Sequence, residues 1–141
     1  MTLRVELVVP EGEVWSGSAE MVIAKTLDGD IGVLTGHTPV LGVLAQGSVV
    51  RIRPDAADAG GEVVAAVNGG FFSVADNRVS ILAQDAQLSD RIDIQAARAA
   101  LESALQEPHA EADGGTGGEE PADVRYYRAL LRAAGDPADR A

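Results

Sequence analysis

Two carboxylates, Asp28 and Asp30, flank Gly29, and an imidazole, His37, follows in the same stretch: Asp28-Gly29-Asp30-Ile31-Gly32-Val33-Leu34-Thr35-Gly36-His37-Thr38-Pro39-Val40-Leu41-Gly42-Val43-Leu44. Acids beside a histidine are ingredients of general acid–base chemistry. They are equally the residues that turns use, because Asp accepts hydrogen bonds from neighbouring backbone amides. Two readings therefore stand for Asp28 and Asp30: turn residues, or acidic contacts to a partner's basic loop. A glycosidase needs two coupled carboxylates in acid and base or nucleophile roles, and no second candidate is coupled to these. For His37 the choice is the same, a loop residue satisfied by backbone or a contact.

A second set is Arg125, Arg128 and Arg132, spaced along one side of a helical pattern. Arginine's planar fork suits carboxylates and phosphates, while a charged stripe is also what a solvated helix face looks like. The alternatives are solvent, or an acidic partner or nucleotide.

The remaining chemistry is sparse. Cysteine is absent, which excludes disulfides and thiolate chemistry in this chain. His37 and His109 are the two histidines, without a His-x-x-x-His pair, so zinc binding is not expected. No Gly-x-Ser-x-Gly elbow or Gly-x-x-x-x-Gly-Lys-Ser/Thr loop occurs. Lys25 is the single lysine, and it lies in a strand pattern. The glycines at 114, 115, 117 and 118 precede acids and cannot cradle a phosphate.

The chain has 141 residues, net charge -11, and 46% hydrophobic but 4% aromatic residues. One domain's worth of aliphatic core is expected. The acidity argues against nucleic acid and anionic lipid as partners. The N-terminus, Met1-Thr2-Leu3-Arg4-Val5-Glu6, alternates and carries charge, with no signal-peptide core after it. No run reaches the ~18 apolar residues of a membrane span, so membrane association is expected only through a protein partner.

The elements that must position these groups read as strands. Leu3, Val5, Leu7 and Val9 alternate with more polar positions until Pro10. Val14-Trp15 reads as a very short strand, Ser16-Gly17-Ser18 as a turn, and Met21 to Thr26 as the next strand. The opening stretch supplies two apolar runs, 31–34 and 40–44, expected as buried strands joined by a shaped turn with Asp28, Asp30 and His37 at the rim. Ser48 to Arg53, Glu62 to Val67, Phe71 to Val74 and Arg78 to Ala83 continue the series, separated by Asp55 to Gly61, Asn68-Gly69-Gly70 and Asp76-Asn77. About nine short strands with regular turn signals predict an antiparallel sandwich or barrel over 1–88.

Near Ser89 the period changes. Asp90 and Asp93 are candidate caps for a helix whose apolar face is Ile94, Ala97, Leu101, Ala104 and Leu105. His109 to Glu120 reads as an acidic, glycine-rich linker, about 108–121. Asp123 is expected to cap a second helix with Val124, Tyr127, Leu131 and Ala134 on one side and the three arginines on another, ending at Gly135. The result is a two-helix hairpin over 89–141 with a small Ala- and Leu-rich interface, conditionally docked rather than a second rigid core.

These residues resemble the epsilon subunit of the F-type ATP synthase, in the form found in high-GC bacteria. Gly29-Asp30-Ile31-Gly32-Val33-Leu34-Thr35-Gly36-His37-Thr38-Pro39-Val40-Leu41 is similar to the family's Gly-Glu-Ile-Gly-Ile-Leu-x-Gly-His-x-Pro-Leu pattern. Gly69-Gly70-Phe71-Phe72-Ser73-Val74, followed by Val79-Ser80-Ile81-Leu82-Ala83, carries it further, as does the order of sandwich then hairpin. The resemblance implies a non-catalytic rotor subunit that binds gamma, rests on the c ring, and helps transmit proton-driven rotation at the cytoplasmic face of the cell membrane. On that analogy Asp28, Asp30 and His37 fall on loops approaching the ring and gamma. The hairpin of many relatives extends beside gamma, reaches the alpha and beta subunits and inhibits ATP hydrolysis, and Asp93, Arg98, Arg125, Arg128 and Arg132 are its candidate regulatory residues. In some relatives the hairpin folds down and binds ATP, with a pattern beginning Ile/Leu-Asp-x-x-Arg-Ala. Here Ile92-Asp93-Ile94-Gln95-Ala96-Ala97-Arg98 displaces the arginine by two residues, so the expectation is a chain without a cofactor. The alternative from the residues alone is a free-standing sandwich that binds a small ligand or peptide.

Overall fold

The computed structural model describes residues 2–54, 61–106 and 121–135. Residues 55–60 of the expected 55–61 loop, most of the expected linker with His109, and the chain beyond Gly135 lie outside the described residues. The elements run β1 (Leu3–Val9), β2 (Gly12–Thr26), β3 (Gly29–Val33), β4 (Val40–Val43), β5 (Gln46–Pro54), β6 (Val63–Asn68), β7 (Gly70–Ala75), β8 (Arg78–Ala83), β9 (Ala86–Leu88), a 3-10 turn at Ser89–Arg91, α1 (Ile94–Gln106) and α2 (Ala122–Ala134).

Alternation produces the layers. In β1, Leu3, Val5 and Leu7 are fully buried while Arg4 and Glu6 are exposed. The strand path is β4-β7-β8-β1-β2-β5-β6-β9, with β3 paired to β2. One apolar cluster takes Leu3 and Leu7 from β1, Val22 from β2, Ile52 from β5, Val67 from β6, and Phe72 and Ile81 from β7 and β8. A sheet whose distant strands share one core has folded over on itself, and β2 is the bend. The first part of β2 pairs with β1, from Val9↔Gly12 to Leu3↔Ala19, and its second part pairs with β3 and β5, through Val22↔Val33 and Val22↔Ile52. Opposite the bend, Leu44 donates to the Gly70 carbonyl at 2.9 Å and Ala45 to that of Lys25 at 2.9 Å.

Three local expectations are corrected. Ser16-Gly17-Ser18 is not a turn but the middle of β2, paired with Val5 and its neighbours. Gly17 serves there as space: a Cβ on it would stand 3.0 Å from the Trp15 indole, which packs against the core. The sheet is not wholly antiparallel, because β1 runs parallel to β8 from Arg4↔Arg78 to Val8↔Leu82. A further short strand, β9, pairs with β6 before the helices begin. At Asp76 (φ 52) and Asn77 (φ 61) the expected tight turn takes two successive left-handed residues, as two-residue hairpins require.

Asp93 caps α1, its Oδ1 accepting from the Ala96 amide at 3.1 Å. For α2 the expected cap moves: Pro121 holds the cap position and Asp123 lies in the first turn, where its negative charge favours the helix dipole. Gly135 ends α2 in the left-handed conformation (φ 80, ψ 23) and donates to the Arg132 carbonyl at 3.1 Å.

The hairpin interface is larger than its apolar stripe suggests. Val124, Tyr126, Ala129, Leu130, Leu131 and Ala133 are all buried, whereas Tyr127 and Ala134 of the expected stripe are half-buried. The reason is that α2 is covered on two sides. It lies on the outer face of β5 and β6, over Val49, Val64 and Ala66, and α1 packs against it from the other side. Leu105, expected on the α1 interface, is 53% exposed.

Candidate partner-docking surfaces

The hairpin covers the outside of one layer, and the outside of the other layer carries an exposed apolar row beside the charged Arg4, Glu6 and Arg78. In β4, Val40 packs on the core and Gly42 lies within reach of the Phe72 ring, so Leu41 and Val43 must point outward. Register extends this side across the layer: Val43 stands opposite Phe71, Phe71 opposite Leu82, and Leu82 opposite Val8. Opposed residues share a face, so these form one row. Leu41 is 73% exposed, Phe71 55%, Leu82 50% and Val43 43%. Leu27 adds to its end, 71% exposed, with its amide donating to the Val43 carbonyl at 3.0 Å. Of the two runs expected as buried strands, the second thus exposes Leu41 and Val43, because β4 has only one inward face, and the first exposes Leu34 just past the end of β3. Contiguous exposed apolar surface on a folded chain marks an interaction site.

The residues singled out from sequence occupy separate places. Asp28 lies in the β2–β3 turn, exposed, with its amide donating to Thr26 Oγ1 at 3.2 Å. His37 lies in the β3–β4 loop beyond the other end of β3; its Nδ1 is 2.7 Å from the Thr38 carbonyl oxygen. A five-residue strand spans about 16 Å, so β3 separates the two groups. The loop holding His37 is pinned to the β7–β8 turn, since the Gly36 amide donates to Asn77 Oδ1 at 2.6 Å. Asp30 sits between, exposed on β3 and in register with Lys25. These three groups do not converge on a common point.

Asp30 and Arg132, from the two sets, instead share a cleft of about 330 Å³, whose lining includes Lys25 and Arg51. The docked α2 brings the arginines there. Arg132 Nη2 donates to the Gly47 carbonyl at 3.2 Å, and Arg125 Nη2 to Gln46 Oε1 at 3.3 Å. Arg128, half-buried, lines the adjoining cleft with Lys25 and Ser48. The stripe thus touches the start of β5 through Arg125 and Arg132, while Arg132 remains exposed. Gly47 makes that seat: it is buried, has φ +65, and a Cβ on it would lie 2.5 Å from Arg125 Cβ and 2.6 Å from the Arg125 carbonyl oxygen. Arg98 is exposed on α1 and Asp93 is occupied as its cap. Burial pushes the Tyr126 hydroxyl up to about 12, with the Asp85 carboxylate adding to the rise and a hydrogen bond with Gln87 opposing it. No group of three or more metal-ligating side chains occurs among the described residues.

Sequence reasoning missed Leu41, Val43, Phe71, Leu82 and Gly47. For the first four the signal was present: Val40-Leu41, Val43-Leu44, Phe71-Phe72 and Ile81-Leu82 put apolar residues at both parities, where one layer face would demand only one. Gly47 follows Gln46 in what reads as an ordinary turn, and only the packed helix gives it meaning.

Fold and surface together define a class, and comparison with known proteins gives the same one. Residues 2–89 match the family profile for the ATP synthase Delta/Epsilon chain, beta-sandwich domain. The ATP synthase epsilon chain of Thermobifida fusca is 53% identical over 133 residues, covering 94% of this chain and 91% of its own. That of Streptomyces coelicolor is 51% identical, covering 92% and 97%. The epsilon chain of Frankia casuarinae is 54% identical over 89 residues, which are 63% of this chain and 100% of its own. A chain in the structure of Euglena gracilis mitochondrial ATP synthase has the same fold, with TM-score 0.72 at 22% identity over 94% of this chain and 81% of that one. This chain belongs to the ATP synthase epsilon chain family, whose members are non-catalytic central-stalk subunits of that complex. Among the described residues no helix is long and apolar enough to cross a membrane.

Proposed function

We propose that this chain is the adaptor between the gamma subunit and the c ring of a bacterial ATP synthase, held peripherally at the cytoplasmic face of the cell membrane. The sandwich, residues 1–88, is the part that seats on both partners, and the hairpin, 89–141, is the part that restrains ATP hydrolysis. The observation carrying this reading is the bare apolar row of Val43, Phe71 and Leu82 on one outer face of a rigid sandwich. A subunit that transmits rotation must be clamped by burial of such surface, since no chemistry is asked of it. Asp28, Asp30 and His37 stand on loops at the ends and edge of the sandwich, suited to contacts with the ring and gamma. Asp93, Arg98, Arg125, Arg128 and Arg132 belong to the hairpin's part of the work, with the alpha and beta subunits as its second partners. The division of labour is supported by the Frankia relative, matched in full by 89 residues, too few for sandwich and hairpin together.

The test is co-purification. The full chain, tagged and co-expressed with the gamma subunit of the same organism, should retain gamma through a salt wash. A folded chain that lets gamma pass would overturn the proposal.

A further inference from the structure

We infer that the bare apolar face and the start of α2 form one composite docking surface, which takes an apolar polypeptide surface carrying a carboxylate, and that helix docking and partner binding therefore stabilise each other. This rests on the adaptor reading above.

The two parts meet in a cleft of about 320 Å³. Its walls include Leu27 and Val43 from the exposed row, Gln46 at the seat of the helix, and Arg125 from α2. Arg125 is the unusual member. Its Nη2 donates to a neutral amide, that of Gln46. Its Nε is buried without an acceptor, and no described carboxylate pairs with it. A guanidinium at the edge of an apolar surface, matched only to a neutral group, lacks its complement, and arginine pairs best with a planar carboxylate. The occupant this arrangement fits has apolar side chains for Leu41, Phe71 and Val43, and an acidic side chain or chain terminus that reaches the cleft.

Arg125 stands there only while α2 is seated on Gly47. A partner that uses Arg125 binds the docked form more tightly than the undocked form, and by reciprocity it holds the helix down. Aliphatic and aromatic contacts supply the larger share of affinity and Arg125 a share that exists only in one state of the hairpin.

The experiment uses the full chain and the gamma subunit of the same organism, with affinity read by biolayer interferometry and folding checked by circular dichroism. Phe71→Ser should weaken binding about 10-fold or more, since it removes a half-exposed ring from the centre of the row. Arg125→Gln should weaken it about 10-fold, with a smaller salt dependence than the parent chain. Gly47→Ala, which unseats the helix, should cost about as much as Arg125→Gln, and combining the two should cost no more than either alone. Hydrogen exchange in the gamma complex should show α2 more protected than in the free chain. Parent-like affinity for Arg125→Gln, or losses from Gly47→Ala and Arg125→Gln that simply add, would overturn the composite surface while leaving the adaptor reading intact. Failure of the parent chain to bind gamma at all would instead remove the adaptor reading itself.

Discussion

Replacing Gly47 by alanine should free α2 from the sandwich while leaving the sandwich folded. Alanine in the left-handed region costs about 1 kcal/mol. The greater effect is steric. A Cβ at Gly47 would lie 2.5 Å from Arg125 Cβ and 2.6 Å from its carbonyl oxygen, against about 3.5–4 Å for an ordinary contact, so the helix must retreat by about 1 Å. That movement stretches the Arg132 to Gly47 and Arg125 to Gln46 hydrogen bonds beyond use, at about 1 kcal/mol each. Together with loosened packing of Ala129 and Leu130, about 2–4 kcal/mol is lost from docking, a ~30- to ~700-fold fall in the docking constant. Amide hydrogen exchange reads this directly: protection of α2 should fall by that factor while β1 and β8 change little. Gly36→Ala is the control, because Gly36 also has positive φ (+82) but nothing within 4 Å of its Cβ position. It should carry the backbone strain and none of the helix release. Unchanged α2 protection in Gly47→Ala would refute the claim that this glycine seats the helix.

Other outcomes follow from particular contacts. Tyr126, raised to about 12 from an ordinary value near 10, favours the docked helix below pH 10; that contribution should be lost as pH rises through about 12. Absorbance near 295 nm should show one late-titrating tyrosine, and a Tyr126→Phe chain should show none. Phe72→Ala empties the centre of the core and should destabilise the sandwich by about 3–5 kcal/mol in urea denaturation. Asp93→Ala removes the α1 cap and should cost about 1 kcal/mol of hairpin stability, seen as a lower melting midpoint for α1, whereas Asp90→Ala should change it little. Deleting 90–141 should leave binding to gamma within about tenfold of the full chain and at most raise ATP hydrolysis by the assembled complex, the tenfold being the Arg125 share that leaves with α2.

What sequence shows of this molecule depends on how local the cause is. The alternation in β1, the Asp76-Asn77 hairpin turn, the Asp93 cap and the Gly135 stop are dictated within a few residues, and each is readable without coordinates. The length of β2 is not, because Ser16-Gly17-Ser18 looks like a turn until β1 lies beside it and Trp15 lies across Gly17. The outward side of Leu41 and Val43 shows in sequence only as apolar residues at both parities of β4, with no polar residue to mark the face. The arginines of α2 were legible as a stripe, but their seat on Gln46 and Gly47 is a contact across most of the chain. Asp28, Asp30 and His37 lie within ten residues of sequence, yet the strand between them carries Asp28 and His37 to opposite ends.

The first strand of this chain ends up in the interior of the sheet, with β2 on one side and, parallel to it, β8 on the other. A ribosome delivers β1 first and β8 nearly last of the sandwich. Until Arg78–Ala83 emerge, one whole edge of β1 has bare amides and carbonyls, and the body cannot close. The interior strand thus waits for one of the later segments of the sandwich, and a nascent chain stalled before β8 offers other strands an open edge.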